Sequence, residues 1–558
     1  MHIRFIFFFC LFGFSAVMAQ PSDRGVQGQV SGAVSAPAAI PAYVSRVWVA
    51  DQGNGTYKNP VLCADYSDPD VCWGGDAYYM ISSSFNCVPG IPVLKSYDLV
   101  NWTLIGHVLS RLQPADVFSL PQHGKGIWAP CIRYHKGMFY IYYPDPDYGI
   151  YMVQATQATG PWSEPVLVKA GKGLIDPSPL WDDDGKVYLC HAYAGSRAGI
   201  GSVLVLSPMT PDGRAVSGAP VIVFDGHASD PTVEGPKMYK RNGWYYIFAP
   251  AGGVTNGWQL VMRSRSIFGP YESRKVLEQG KTVINGPHQG AWVETASGES
   301  WFLHFQDRGA YGRVVHLQPM AWKNDWPVMG SDPDGDGCGE PVLTFRKPNV
   351  GKTWPVATPA ESDEFDGRAP GLQWQWHANP GETWGYPVTS AGTFRLYSVL
   401  LPEAFTGYRD VPNLFLQKFP APEFTATVKM AFRPSTDGER AGLIVIGDDL
   451  AYVSLTRTSS GLVISQTTQM NAIRGGAEAE TERIPVTGSD FYLRVTVREG
   501  AKCSFSYSLD GTSFVSLGNT FQASEGRWIG AKVGMFCSRT ATTNRAGFAD
   551  LDWFRVTP

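Results

Sequence analysis

One pattern recurs five times in the first half of the chain, and it limits the fold more than any single motif does. A turn holding Gly or Asp leads into a run of aromatic and β-branched residues. The copies are "GGDAYYMISSS" (74–84), "HKGMFYIYYP" (135–144), "DDGKVYLCHA" (183–192), "RNGWYYIFAP" (241–250) and "SGESWFLHFQD" (297–307). Each reads as a tight turn entering a strand. The turn glycines Gly75, Gly137, Gly185, Gly243 and Gly298 recur about every 56 residues, a period that suits four-stranded propeller blades. A second echo, "DLVNWTLIG" (98–106), "ATGPWSEPVLV" (158–168) and "IFGPYESRKVLE" (267–278), falls where outer strands belong. The expected fold class is all-β, with a five-bladed β-propeller over 58–327.

The remaining length fits this division. A chain of 558 residues is too long for one core. Aromatic residues at 13% and charged residues at only 17% favour folded β-rich domains. From 360 to 558, "EFTATVKMAF", "RAGLIVIGDD", "AYVSLTRT", "FYLRVTVREG", "CSFSYSLDGTSF" and "FADLDWFRV" alternate strands with turns, which predicts a β-sandwich. Residues 328–359 read as a linker. Within it Asp332, Asp334 and Asp336 mimic the start of a calcium loop, but Leu343 stands where the closing Glu is needed, so a solvated turn is expected.

At the start, "MHIRFIFFFCLFGFSAVMAQ" has the charge, apolar core and small-residue end of a secretory signal over 1–19. Residues 20–57 read as a flexible lead-in. A periplasmic or secreted protein is expected. The formal net charge of −4 gives no reason to expect nucleic acid or an anionic membrane as partner. Beyond the signal, eight cysteines lack CxxC spacing and mostly sit in apolar strands, as small buried hydrophobes would.

The residues just ahead of the hairpin turns carry the chemistry. "SDPDV", "WAPCI", "DPSPL", "EGPKM" and "GPHQG" each precede a turn by a similar interval, so all five would begin the innermost strands at one mouth of the central channel. Asp68, Asp176 and Glu234 then meet there, with Trp128 and His288 in the other two blades. Asp before Pro is also a common turn starter. The same register in three blades favours a shared site. Glycoside hydrolysis needs two carboxyl groups astride the sugar, one to protonate the leaving oxygen and one as base or nucleophile. A third carboxylate raises the acid's pKa by like-charge repulsion. Trp128 offers a flat apolar face to a sugar ring. No HExxH, GxSxG or Cys/His metal spacing supports another route.

"NPVLCADYSDPDV", "IWAPCIRYHKGMFYIYY", "LIDPSPLWDDDGKVYL", "VEGPKMYKRNGWYYIF" and "FQDRGAYGRVVHLQPMAW", in this order, resemble glycoside hydrolase family 43 over about 58–345. The family contains β-xylosidases, α-L-arabinofuranosidases and arabinanases. The resemblance implies an inverting mechanism with Asp68 as general base, Asp176 as the orienting and pKa-raising aspartate and Glu234 as general acid. It implies substrate contacts from Phe85 and Arg313, and a place for His288 at the channel centre near a bound cation. It requires no cofactor and allows a structural calcium ion. Many xylosidases of the family carry "FEWFPG" beside the first subsite. Here the stretch Phe85 to Gly90 reads "FNCVPG", which predicts a wider pocket. The end of the chain resembles the concanavalin-like module of many exo-acting members. The resulting expectation is an exo-acting glycosidase releasing xylose or arabinofuranose from plant polysaccharide. The alternatives are a non-catalytic glycan-binding propeller, a glycosidase of this fold acting on another sugar such as galactose, and a fructan-cleaving relative, whose usual "NDPNG" start is replaced by "SDPDV".

Overall fold

A computed structural model describes residues 43–558. The signal sequence expected over 1–19 and the lead-in up to residue 42 lie outside the described residues. From residue 43 onward the expected flexible lead-in is instead packed. Tyr57 is buried, its hydroxyl donates to the Leu317 carbonyl at 2.8 Å, and Thr56–Lys58 pairs with Thr344–Arg346 from the expected linker.

Among the described residues, five four-stranded antiparallel sheets follow one another as the blades of a propeller. In each, four successive strands are hydrogen-bonded in sequence order. The first strands, Asp70–Trp73, Cys131–His135, Leu174–Trp181, Lys237–Arg241 and His288–Glu294, are the innermost. The five turn glycines all have positive φ, between 72° and 94°, the backbone a tight hairpin turn requires. Aromatic and β-branched runs fill the gaps between blades. Phe248, for example, stacks on Trp292 of the next blade with an interplanar angle of 8°.

A polar belt ties the inner strands together. Asp70 is fully buried, and its Oδ2 accepts from Ile132 N at 2.7 Å and Arg133 Nη1 at 2.8 Å. Arg133 Nη2 reaches Ser178 Oγ at 3.2 Å, and Met238 N donates to the same oxygen at 2.9 Å. Four blades are linked in this way, and the buried charge is paired as it must be. The ring closes where the segment ahead of the first blade meets the last blade. Leu62 and Val315 exchange backbone hydrogen bonds, and the Asn59 side chain brackets Leu317, donating to its carbonyl and accepting from its N–H.

The C-terminal part is a sandwich of a nine-stranded and a seven-stranded sheet. Asp490–Arg498 shows the expected alternation, with Phe491, Leu493, Val495 and Val497 buried and their neighbours outward. Between the sheets lie Trp374, Phe415, Phe424, Leu443 and Phe554. The sandwich packs directly on the propeller. Val88 and Trp376 exchange backbone hydrogen bonds at 3.0 and 2.6 Å, which joins the first blade to the nine-stranded sheet. All eight cysteines among the described residues are unpaired, and six are buried.

Candidate active site

The starts of the inner strands converge on one pocket of about 470 Å³. Asp68, Phe85, Trp128, Asp176, Glu234, His288 and Arg313 all line it, so every site residue singled out in the sequence faces the same cavity. The backbone explains this aim. Asp68 and Asp176 adopt left-handed φ of 56° and 57°, and the residues after Glu234 and His288 do likewise, Gly235 at 60° and Gln289 at 30°. The ladders of the third and fifth blades slip at these points, between Ile175 and Ser178 and between His288 and Gly290. Such bulges swing a side chain away from the regular sheet faces, and they recur beside active sites.

The three acids keep different company. Asp68 is buried among donors. Its Oδ2 accepts from Ser83 Oγ at 2.5 Å and Ser67 Oγ at 2.8 Å, and Arg313 Nη1 lies 3.4 Å from Oδ1. Asp176 accepts from the Gly235 N–H at 2.7 Å and from Gln289 Nε2 at 3.4 Å. Burial pushes its pKa up to about 7 against the pull of the Gly235 N–H, and the charge of Asp68 adds to the rise. Glu234 keeps 33% of its side chain open to the pocket. Burial first, then the charges of Asp176 and Asp68, push it up to about 8, with Arg313 opposing. One carboxyl thus holds its proton near neutrality across from another held by hydroxyls and a guanidinium. That asymmetry is what acid–base work by two like groups requires.

His288 Nε2 stands 3.5 Å from Glu234 Oε1, and burial pushes the ring's pKa down to about 3, so the imidazole is neutral. Calcium takes six to eight oxygen ligands. Among the described residues no group of three His, Cys, Asp or Glu donors gathers around His288; the one such group is Asp332, Asp334 and Asp336 in the expected solvated turn. Both ring nitrogens of His288 are buried without a hydrogen-bond partner, and no step is assigned to a metal.

The sequence reading missed the wall contributed by the sandwich. Trp528, with φ of 66°, sits in the loop between its strands Val515–Gln522 and Lys532–Arg539 and lines the pocket. Its ring lies edge-on to Trp128 at 6.4 Å, and Trp128 lies 6.4 Å from Phe85. Asp65 seats this loop. The same carboxylate accepts from Arg313 N at 2.9 Å through Oδ1 and from Gly530 N at 3.1 Å through Oδ2. Gly530 approaches so closely that a Cβ there would meet Gly312 N at 2.6 Å. Only the acidic cluster 65–70 and the "GRWIG" turn carried any signal of this, and nothing in their spacing relates them. The expectation that Cys87 and Val88 widen the pocket needs correction. Neither lines it: Cys87 Sγ meets Lys532 Nζ of the sandwich at 3.0 Å, while Val88 pairs its backbone with Trp376 and buries its side chain in the propeller core.

Comparison with known proteins agrees with this geometry. Residues 57–327 match the family model "Glycosyl hydrolases family 43", and 362–557 match "Beta xylosidase C-terminal Concanavalin A-like domain". A putative β-xylosidase of Xylanibacter ruminicola is 39% identical over 485 residues, covering 87% of this chain and 86% of that protein. A non-reducing-end α-L-arabinofuranosidase of Bacteroides ovatus is 30% identical over 538 residues, covering 91% and 96%. The crystal structure of a xylan β-1,4-xylosidase from Bacillus halodurans superposes with a TM-score of 0.79 at 25% identity, covering 90% of this chain and all of that one. The chain belongs to glycoside hydrolase family 43 and is a glycoside hydrolase, with the family's propeller followed by its concanavalin-like sandwich.

Proposed function

We propose that this enzyme, working after export from the cytoplasm, is an inverting exo-glycosidase. It releases a terminal pentose, xylose or arabinofuranose, from plant cell-wall polysaccharide or its fragments. Glu234 donates its proton to the glycosidic oxygen. Asp68, fixed by Ser67, Ser83 and Arg313, takes a proton from the water that attacks the anomeric carbon from the opposite face. Asp176 keeps Glu234 protonated through its charge and orients it through the Gly235 N–H. Phe85, Trp128 and Trp528 wall the sugar, and Arg313 also offers it a donor.

The observation that carries the reading is the uneven treatment of the acids: Glu234 is pushed up by burial and then by the charges of Asp176 and Asp68, while Asp68 is ringed by donors. A compact pocket of about 470 Å³, walled by Phe85, Trp128 and Trp528, supports attack at a chain end. The choice of pentose follows the relatives' names, β-xylosidase and α-L-arabinofuranosidase. The test is hydrolysis of aryl β-xyloside, α-arabinofuranoside and β-galactoside, with the first-formed anomer followed by proton NMR. Release of the inverted pentose is expected. A retained anomer removes the inverting mechanism, exclusive action on the galactoside removes the pentose, and binding of all three without cleavage removes the enzymatic roles.

A further inference from the structure

The acids occupy the starts of the inner strands. Further along, each of those strands carries one aromatic residue: Trp73, Tyr134, Trp181, Tyr239 and Trp292. All five line one shallow depression of about 1040 Å³ at the opposite mouth of the channel, and it shares no residue with the acid pocket. Trp73 is 46% exposed and Tyr134 38%. Their neighbours fix the rings. His135 stacks on Trp181 at 4.9 Å and 14°, Trp73 meets Tyr78 edge-on at 4.9 Å, and Tyr239 accepts a hydrogen bond from Trp292 N at 3.0 Å. An aromatic residue at this place in every blade is more than the packing of any one blade demands, since two of the five rings are left more than a third exposed.

Most charges on this face are matched, and the exception, Glu294, accepts from Ser300 Oγ at 3.2 Å. Arg133 is paired with Asp70, and Lys240 with both Asp182 and Asp183. Burial pushes the pKa of His135 down, towards the neutral ring. No block of like charge is offered to a polyanion or an anionic membrane. Fixed aromatic faces among paired charges suit a neutral polymer with flat apolar faces and many hydroxyls. An exposed apolar patch rimmed by polar groups is a recognised mark of a binding surface. We propose that the back face of the propeller is a second carbohydrate-binding surface, which holds the neutral backbone of the polysaccharide while the opposite mouth processes its ends. The choice of ligand rests on the chain being a glycoside hydrolase, and not on the roles given to the individual acids.

The test uses the full chain in affinity electrophoresis through gels containing soluble arabinoxylan, arabinan or galactan, with Trp73→Ala and Tyr134→Ala singly and together. Both side chains are exposed enough to leave the core intact. Retardation by at least one of these glycans is expected for the native protein. The double variant is expected to weaken retention about tenfold while kcat/KM on the aryl pentoside stays within twofold. Retention unchanged in the double variant overturns the proposal, as does a native protein retarded by none of the three. A native dimer that the variants convert to monomers, with no effect of glycan, assigns the face to a second copy of this chain and overturns it equally. Failure of the proposed pentosidase reading is seen separately, as loss of aryl pentoside hydrolysis in the native protein.

Discussion

Replacing Asp176 with Asn tests the electrostatic core of the mechanism. The Asp176 carboxylate accepts the N–H of Gly235, the residue next to Glu234, at 2.7 Å, and Asn retains an oxygen that can accept the same bond. The substitution therefore removes charge with little change of shape. A unit charge on the order of 6 Å away, at an effective dielectric of about 20, is worth ~3 kcal/mol, or about two pKa units. Asp176 is itself pushed up to about 7 and carries only part of that charge around neutrality, so the expected effect is one to two units. Glu234 in the native protein is pushed up to about 8. The alkaline limb of kcat/KM reports the free enzyme's acid and should fall near that value. In Asp176→Asn it should move down by one to two pH units, because the acid no longer faces a like charge and deprotonates earlier. The assay is kcat/KM from pH 5 to 10 on a pentoside with a poor leaving group, where proton donation matters most. A limb that stays in place, or moves up, refutes both the pairing and the assignment of Glu234.

Glu234→Gln should cost far more on natural glycosides than on an aryl glycoside of an acidic phenol, whereas Asp68→Asn should damage both equally; equal loss from Glu234→Gln on the two substrates would remove it as the acid. Glu234 also links pH to stability. Its folded pKa of about 8 exceeds the ordinary value of 4.5, so its contribution is fully present below the ordinary value and is lost as pH rises through 8, and Tm of Glu234→Gln should fall less than native over that window. Asp65→Ala leaves the Arg313 and Gly530 N–H groups buried without an acceptor, which should cost about 2–4 kcal/mol and appear as a lower Tm or denaturant midpoint. Trp528→Ala opens one wall of the pocket, so KM for a pentose disaccharide should rise several-fold with Tm nearly unchanged.

The blades were legible in the sequence because their signal is local and repeated. A glycine-bearing turn followed by alternating aromatic and β-branched residues encodes a hairpin within a dozen positions, and five copies at one period leave few architectures. Asp68, Asp176 and Glu234 were legible for the same reason, since each stands seven to nine residues before its blade's turn glycine. What escaped was set by long-range packing. Trp528 reaches the pocket only because two sheets bring its loop there and Asp65 holds the loop down. Cys87 and Val88 sit two and three residues from Phe85, yet Cys87 is turned to Lys532 of the sandwich and Val88 into the propeller core. The part of the presumed lead-in from residue 43 onward and the linker looked structureless because each strand in them is three residues long and gains a partner only from the other.

The closure of the ring has a consequence for how the protein is made. Asn59 and Leu317, which share its hydrogen bonds, are 258 residues apart in sequence, so the first of the pair must wait while all five blades are synthesised. Until then the apolar face formed by Tyr57, Tyr78, Leu94, Val293 and Trp301 stays wet. Contacts of such long sequence separation slow folding and prolong the life of sticky intermediates. Chains cut short inside the fifth blade should therefore collect as aggregates rather than as smaller propellers, and overproduction should improve at low temperature or with added chaperones. The seam that closes the finished ring is also the last part of it to form.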